Sequence, residues 1–415
     1  MIEHYPFGHA PMTSRAVSFW LHSQDLTFQS ESALPPQADV VVIGGGITGI
    51  CTAYWLSQLG IRPVVLERGH LSCGATGRNG GHCVFGANQS FKASVEDIGL
   101  EETLAVWDFT EQSSQLLQEV THRHSIDCDL RFNRLVAFAM TPAQAQAIQD
   151  NCDVMRSHGL EATYWTQAEV YQQTQCSAFL AAGVKPHHGQ LWPAQLVVGL
   201  AKAAQHQAHI HTQVEVQAVT RQGKDLHITT NQGQIQTQAV VYATNALAYH
   251  LLPNLKEVII PVRGQVVATA PTAPLFDFDW LLNDGYEYAI QRQDGRIIFG
   301  GMRWKSPTKE VGIEDDTTLN PSVSEGLKAF LRDTFTPLRD IAIEYEWTGI
   351  MGFTADENPI VGELPNRPGE YISAGYTGHG MALAIAAGKA IAERITGSAQ
   401  TPIPKAFRPE RFGLG

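Results

Sequence analysis

Three glycines, Gly44, Gly46 and Gly49, stand at the spacing Gly-x-Gly-x-x-Gly, and Glu67 follows 18 residues after the last of them. Such a set can hold a pyrophosphate. The first glycine permits a tight turn, the second lets an anion approach the backbone, and the third lets a helix sit against a strand. The unpaired N–H groups and positive dipole end of that helix supply the attraction. Glu67 is placed to accept hydrogen bonds from a ribose. This chemistry needs a strand, a turn, a helix and a second strand, in that order. VVVI (Val40 to Ile43) suits a buried parallel strand, Ile50, Ala53, Tyr54 and Leu56 suit the helix, and RPVVLE (Arg62 to Glu67) returns as a strand. The stretch from Ala38 to Gly69 is apolar enough to pass for a membrane span. A span, however, needs roughly 20 apolar residues in one helix, and Gly44, Gly45 and Gly46 interrupt this one near its start. The stretch is therefore βαβ, built to hold a dinucleotide.

NAD and FAD both offer ADP to such a turn. The segment after the second strand separates them. ERGHLSCGATGRNGGHCVFG, Glu67 to Gly86, has glycines at 69, 74, 77, 80, 81 and 86. A segment so rich in glycine can lie along a long cofactor and offer it backbone N–H groups, which favours FAD; the plainer alternative is a flexible loop.

At these residues the chain resembles the D-amino-acid oxidase superfamily of flavoproteins, in the branch of glycine oxidase, sarcosine oxidase and especially γ-glutamylputrescine oxidase. The resemblance rests on ATGRNGGH (Ala75 to His82), on SFWL (Ser18 to Leu21), and above all on the C-terminal segment Glu346 to Gly397, where YISAG, GYTGHG and MALAIAAGKAIAERI read as strand, turn and helix. It extends over most of the chain. It implies FAD contacts from Gly44, Gly46, Ile47, Thr48, Gly49, Glu67 and Arg68, then from Ala75, Thr76, Arg78, Asn79, Gly80, Gly81 and His82. Val216 would touch adenine through its backbone. Thr244 and Asn245 would return to the cofactor, as would Gly349, Gly352, Gly378, His379, Gly380 and Met381. A helix starting at Gly380 or Met381 would aim its positive end at the flavin N1 and C2 carbonyl, where charge gathers on reduction.

The expected fold is α/β, or α+β overall. A Rossmann-like FAD-binding domain (1–90, 178–260 and 341–415) interleaves with a substrate-binding domain (91–177 and 261–340) built on a mixed, largely antiparallel sheet plus helices. EETLAVWDFTEQSSQLLQEVTHRH has helical spacing, PVRGQVVATA alternates like a strand, and QDGR reads as a hairpin turn.

The reaction implied by the resemblance is oxidation of an amine C–N bond, with hydride leaving for flavin N5 and the imine hydrolysed by water. Tyr288 and Tyr286 lie where aromatic residues stand above the flavin, and alternation aims both the same way; sheet packing is the equal alternative. His379 is expected beside the flavin as a backbone donor. Arg78 and Asn79 are candidates for the pyrophosphate or flavin ring, and His82 either approaches the flavin or ends the loop. Arg303 is a candidate for an acidic substrate group, though a surface arginine is the more ordinary reading.

Departures from the relatives narrow the expectation. The lysine that binds a substrate carboxylate in monomeric sarcosine oxidases is Ala382 here, and the arginine of their glycine-rich loop falls near Gly80. An amine without an α-carboxylate, such as a γ-glutamyl-polyamine, gains support. WTGIMGFTADE contains no cysteine for a tether, and the histidine that tethers flavin in dimethylglycine-dehydrogenase-like relatives would fall near Arg78, so FAD is expected to be non-covalent. The lysine that assists oxygen in some relatives is missing from Val266 to Trp280, which leaves O2 and a redox partner both open as acceptor.

The remaining composition excludes other classes. A net charge of -12 repels nucleic acid, and 44% hydrophobic with 17% charged residues describes a globular chain. The six cysteines form no CxxC pair, so neither a zinc site nor a disulfide framework is expected. No leader is evident in the first 20 residues, and a cytoplasmic enzyme is expected. A glutathione-reductase-like enzyme would need a second nucleotide turn. A same-fold dehydrogenase and a non-reacting FAD-holding protein remain the competing readings.

Overall fold

The expected βαβ unit forms in the computed structural model, which describes residues 18–22, 26–31, 33–83, 86 and 88–413, the side chain of Asp284 excepted. Residues 1–17, on which the expectation of no leader mostly rests, lie outside the described residues. The strands Val40–Ile43 and Pro63–Glu67 run parallel, joined through the helix Ile47–Gln58. They sit in a six-stranded sheet ordered Ile360–Glu363, Glu370–Ala374, Ala239–Tyr242, Val40–Ile43, Pro63–Glu67, His209–Thr212. All neighbours are parallel except the first pair, a hairpin.

Both faces of this sheet are covered, which is why its strands read as unbroken apolar runs. Val40 and Val42 face the helices, while Val41 and Ile43 face a three-stranded antiparallel sheet through Leu226, Ile228 and Ile235. On the helical face, Ile47–Gln58 packs against Gly380–Ile395, elements drawn from opposite ends of the chain. A Cβ at Gly388 would lie 2.7 Å from Thr52 N, and Trp55 Nε1 donates to the Ile385 carbonyl at 3.0 Å. Small residues let the two helices approach backbone to backbone.

A larger sheet runs in the order Ile343–Phe353, Ile260–Thr269, Ile297–Gly300, Glu287–Gln291, Asp279–Leu282, Arg131–Ala139, Ala181–Gln190; His82–Cys83 and Thr163–Thr166 both pair with the last strand. Its pairings are antiparallel apart from Asp279–Leu282 with Arg131–Ala139. The QDGR stretch turns a hairpin between Glu287–Gln291 and Ile297–Gly300. Ala181–Gln190, Ile343–Phe353 and His82–Cys83, which the motif-based division gives to the nucleotide unit, hydrogen-bond into this sheet. Motifs mark cofactor contacts; they do not reveal which sheet a long strand joins.

Among the described residues no helix is long and apolar enough to cross a membrane. No group of His, Cys, Asp or Glu there could hold a metal ion.

Candidate active site

A cavity of about 790 Å³ runs between the two sheets. Gly44, Gly46, Ile47 and Thr48 line one end. Gly44 has φ +116, and a Cβ there would lie 2.6 Å from the Ala243 carbonyl oxygen, so only glycine fits. Gly49 stands off the cavity wall: its Cβ would lie 1.9 Å from the Gly44 oxygen, so its role is to seat helix on strand. Gly46, at the N-cap, has no side chain to cap the helix, and only its first N–H, that of Ile47, meets a side chain, Thr76 Oγ1. Glu67 and Arg68 line this end too, and the Glu67 carboxylate accepts from Gly45 N at 2.6 Å and Gly69 N at 2.7 Å.

A second helix begins at the same cavity. Gly378 (φ +89), His379, Gly380 and Met381 line it, and Gly380–Ile395 likewise has no side-chain cap at its start. Two helix starts without a cap from their own N-cap side chains therefore face one space, each a site for negative charge. Between them lie Val216, Thr244 and Asn245, of which Thr244 has a buried Oγ1 with no partner among the described residues. Asn245 Oδ1 accepts from Gly375 N at 3.0 Å and ties the two turns together.

The glycine-rich loop forms the middle of the wall. Ala75, Thr76, Arg78, Asn79, Gly80 and His82 line the cavity, and Thr76 Oγ1 accepts from Ile47 N at 3.0 Å. Arg78 and Asn79 do not offer their side chains as expected. The Arg78 guanidinium is engaged with Asp316 at 3.2 Å and with the carbonyls of Cys73 and Thr348. Asn79 bonds its own loop through Thr76 O and Gly81 N. Both fix the loop rather than presenting polar groups to a ligand. Gly81 packs on Trp20 and Leu191 behind the wall, and Gly352 packs on Ile259 and Asn245; neither reaches the cavity. Gly349 does, and a Cβ there would lie 2.7 Å from Arg78 Cβ.

The far end is built on the larger sheet. Tyr288 stands between two glycines: a Cβ at Gly80 or at Gly300 would each lie 2.5 Å from its ring. Sheet packing and cavity lining are thus one role. Burial pushes its phenol up to about 12, partly opposed by Arg303. Tyr286 also lines the cavity but lies in the turn before the Glu287–Gln291 strand, half exposed. The alternation argument therefore fails for it. Arg303 is no surface arginine: burial lowers its pKa, its guanidinium lies 5.0 Å from the Tyr286 ring and 5.2 Å from Phe353, and it lines the cavity. Among the described residues it has no ion pair. Its nearest charge, Glu287, is occupied by Met302 N and Trp304 Nε1.

The histidines are held neutral. Burial pushes His82 down to about 3, helped by His379, and pushes His379 down to about 4, helped by Lys185. His82 Nδ1 meets His188 Nε2 at 3.0 Å, while its buried Nε2 has no partner among the described residues. Sequence reasoning missed Lys185, Glu357 and Asn88, all in the wall. No local motif marks them; only the topology brings them in.

The residues present fit FAD. Two helix starts, the Glu67 carboxylate, a glycine that tolerates no side chain and an orphaned Thr244 hydroxyl line a single cavity.

Comparisons agree with this geometry. Residues 39–394 match the family model described as DAO, FAD dependent oxidoreductase. The γ-glutamylputrescine oxidoreductase of Escherichia coli strain K12 is 25% identical over 96% of this chain and 91% of its own length. The glycine oxidase of Geobacillus kaustophilus is 25% identical over 86% of this chain and 92% of its own. The structure of an L-proline dehydrogenase from P. horikoshii superposes with a TM-score of 0.78 at 23% identity, covering 92% of this chain and 99% of the other. With its glycine turns, its helix ends and its sheet-borne aromatic wall on one cavity, the chain belongs to the DAO family of FAD-dependent oxidoreductases, enzymes that act on the C–N bonds of amines or amino acids.

Proposed function

We propose that this chain oxidises an amine that carries an acidic group, of the γ-glutamyl amine or amino-acid type, in preference to a bare polyamine. The observation that carries the reading is Arg303, a guanidinium in the cavity wall with aromatic faces around it and no ion pair among the described residues. A charge left without a counter-ion in a partly desolvated wall favours a ligand that supplies one. This revises the sequence-based preference for an amine without an α-carboxylate, because Arg303 offers from another strand end what Ala382 does not.

FAD, when bound non-covalently, would take hydride from the carbon beside the nitrogen and leave an imine for water to hydrolyse. Gly44, Gly46, Thr48, Glu67, Thr244 and the Gly378–Met381 turn would hold it. The protein's own part is orientation and charge. Arg303 would bind the acid, and Tyr288, fixed between Gly80 and Gly300, would set the wall against which the reacting carbon lies. His82 and His379 stay neutral near pH 7 and Arg303 stays charged, so the site disfavours an ammonium and presents the amine lone pair. The non-reacting alternative loses support, since Tyr286, Tyr288 and Arg303 all line the cavity. The unbridged cysteines suit the cytoplasmic setting proposed here.

The test is anaerobic mixing of the flavoprotein with γ-glutamylputrescine, simple amino acids and putrescine. Loss of the flavin absorbance with the acid-bearing amines, and little with putrescine, is expected. Equal bleaching by putrescine would overturn the preference, and no bleaching by any amine would overturn the reaction. Readmitting air and timing the return of colour separates an oxidase from a dehydrogenase that needs a quinone or protein acceptor.

A further inference from the structure

Arg303 is not the only cation of the wall without a counter-ion. Lys185, on the strand Ala181–Gln190, lines the same cavity. Its ammonium lies 6.0 Å from the Trp107 ring, and no hydrogen bond or ion pair joins it to any described residue. Burial alone lowers its pKa, with no carboxylate acting on it. Its charge reaches the cavity, since it disfavours protonation of both His379 and His188. By contrast Arg78, also in the wall, is neutralised by Asp316.

The strand order bears on how Lys185 and Arg303 are disposed, although Arg303 itself lies in the short turn Arg303–Lys305 beyond its strand. Arg303 follows the strand Ile297–Gly300. Between that strand and Ala181–Gln190 lie Glu287–Gln291, Asp279–Leu282 and Arg131–Ala139. Four steps at about 4.8 Å each separate the backbones by roughly 19 Å, a distance that two long side chains reaching inward shorten. Tyr288 stands on one of the strands between them. All three side chains line the one cavity, so a single ligand in it can meet Tyr288 and both cations.

We propose that Lys185 anchors a second acidic group of the substrate, so that the preferred amines carry two carboxylates, one at Arg303 and one at Lys185. Amino-dicarboxylates and γ-glutamyl conjugates that keep two free acids are the class. This rests on the amine-oxidising reading above, and it adds a length requirement, because the two acids must span the interval between the cations.

The experiment titrates the FAD-loaded protein with acetate and with malonate, succinate, glutarate and adipate, following the perturbation of the flavin spectrum. These probes cannot be oxidised at a C–N bond, so the readout is binding alone. One dicarboxylate is expected to bind about tenfold or more tighter than acetate. Lys185→Gln and Lys185→Met should remove that gain, bringing every dicarboxylate to within a few-fold of acetate on the same variant, and Lys185→Arg should restore part of it. The proposal is overturned if no dicarboxylate exceeds acetate on the unaltered protein, a result that needs no variant to fold. It is also overturned if the gain survives in Lys185→Gln while the ligand-free flavin spectrum and potential shift, for the lysine then serves the cofactor. A dicarboxylate gain without bleaching by any amine would keep the subsite and sink the amine reading. Bleaching by mono-acid amines without the gain would do the reverse.

Discussion

Tyr288 and its two glycines show how single residues set this site. At Gly300 a methyl group would overlap the tyrosine ring from within the sheet, and overpacking of this kind costs about 1–3 kcal/mol. Gly300→Ala is expected to lower the thermal midpoint and slow anaerobic flavin reduction. Reduction at the unaltered rate would mean that the ring does not position the substrate. Arg303→Gln acts differently. It should raise KM for acid-bearing amines about tenfold or more with a smaller change in kcat, and should not raise KM for putrescine. Steady-state kinetics on both substrates decide this. The buried histidines predict a pH dependence of stability. Below a free histidine pKa of about 6.5, the unfolded chain takes up protons that folded His82, His379 and His188 refuse, all three being lowered mainly by burial. Stability from these groups is present above that pH and falls as the medium is acidified toward 4. Asp279, raised by burial to about 7, works in the opposite sense: its proton stabilises the fold at low pH, and that contribution is lost as pH rises through 7. His211 and His124, also lowered by burial, act with these histidines, and Glu357, raised by burial, acts with Asp279; the histidines outnumber the carboxylates, so the thermal midpoint should fall between pH 7 and pH 5, and His82→Gln should flatten the slope. A midpoint that rises on acidification would contradict this assignment. The sequence disclosed the glycines because their spacing is local. It did not disclose Lys185, which reaches the wall through strand pairing over long separations, or Glu357, which lies in the turn after Ile343–Phe353. Nor could it show that Arg78, which does line the cavity, has its guanidinium engaged by Asp316, because a polar residue in a binding loop looks the same in either case.

Among the elements, the contact between the Ile47–Gln58 and Gly380–Ile395 helices carries the geometry of the cofactor end. Each helix starts at a glycine turn, and their backbones meet where Gly388 faces Cys51 and Thr52. Gly388→Val would force them apart and so move one helix start relative to the other. The expected result is weaker FAD retention together with a lower thermal midpoint, read by flavin release on gel filtration and by calorimetry. Unchanged retention would show that the two starts act independently. These elements were legible beforehand: VVVI, the glycine turn and PVVLE announce parallel strands around a helix, and the long QDGR hairpin announces itself by its turn. Sheet membership was not legible. Ala181–Gln190 and Ile343–Phe353 flank cofactor motifs in sequence yet join the larger sheet, because hydrogen-bond partners are chosen by tertiary packing. The same limit explains Tyr286, one residue ahead of the strand whose period was applied to it.

Over the whole molecule, a chain of net charge -12 encloses a wall in which Arg303 and Lys185 have no ion pair among the described residues, and that contrast is the basis for expecting an anionic amine. The account depends on one structural statement, that turns from the two ends of the polypeptide close on a single FAD. Fluorescence titration of the flavin-free protein with FAD tests it most directly, comparing the unaltered chain with Gly46→Val and Gly378→Val, each first shown to be folded by circular dichroism. One FAD per chain is predicted for the unaltered protein, with binding strongly weakened by either substitution. Undiminished FAD affinity after disruption of either turn would contradict the convergence, and with it the placement of the substrate site.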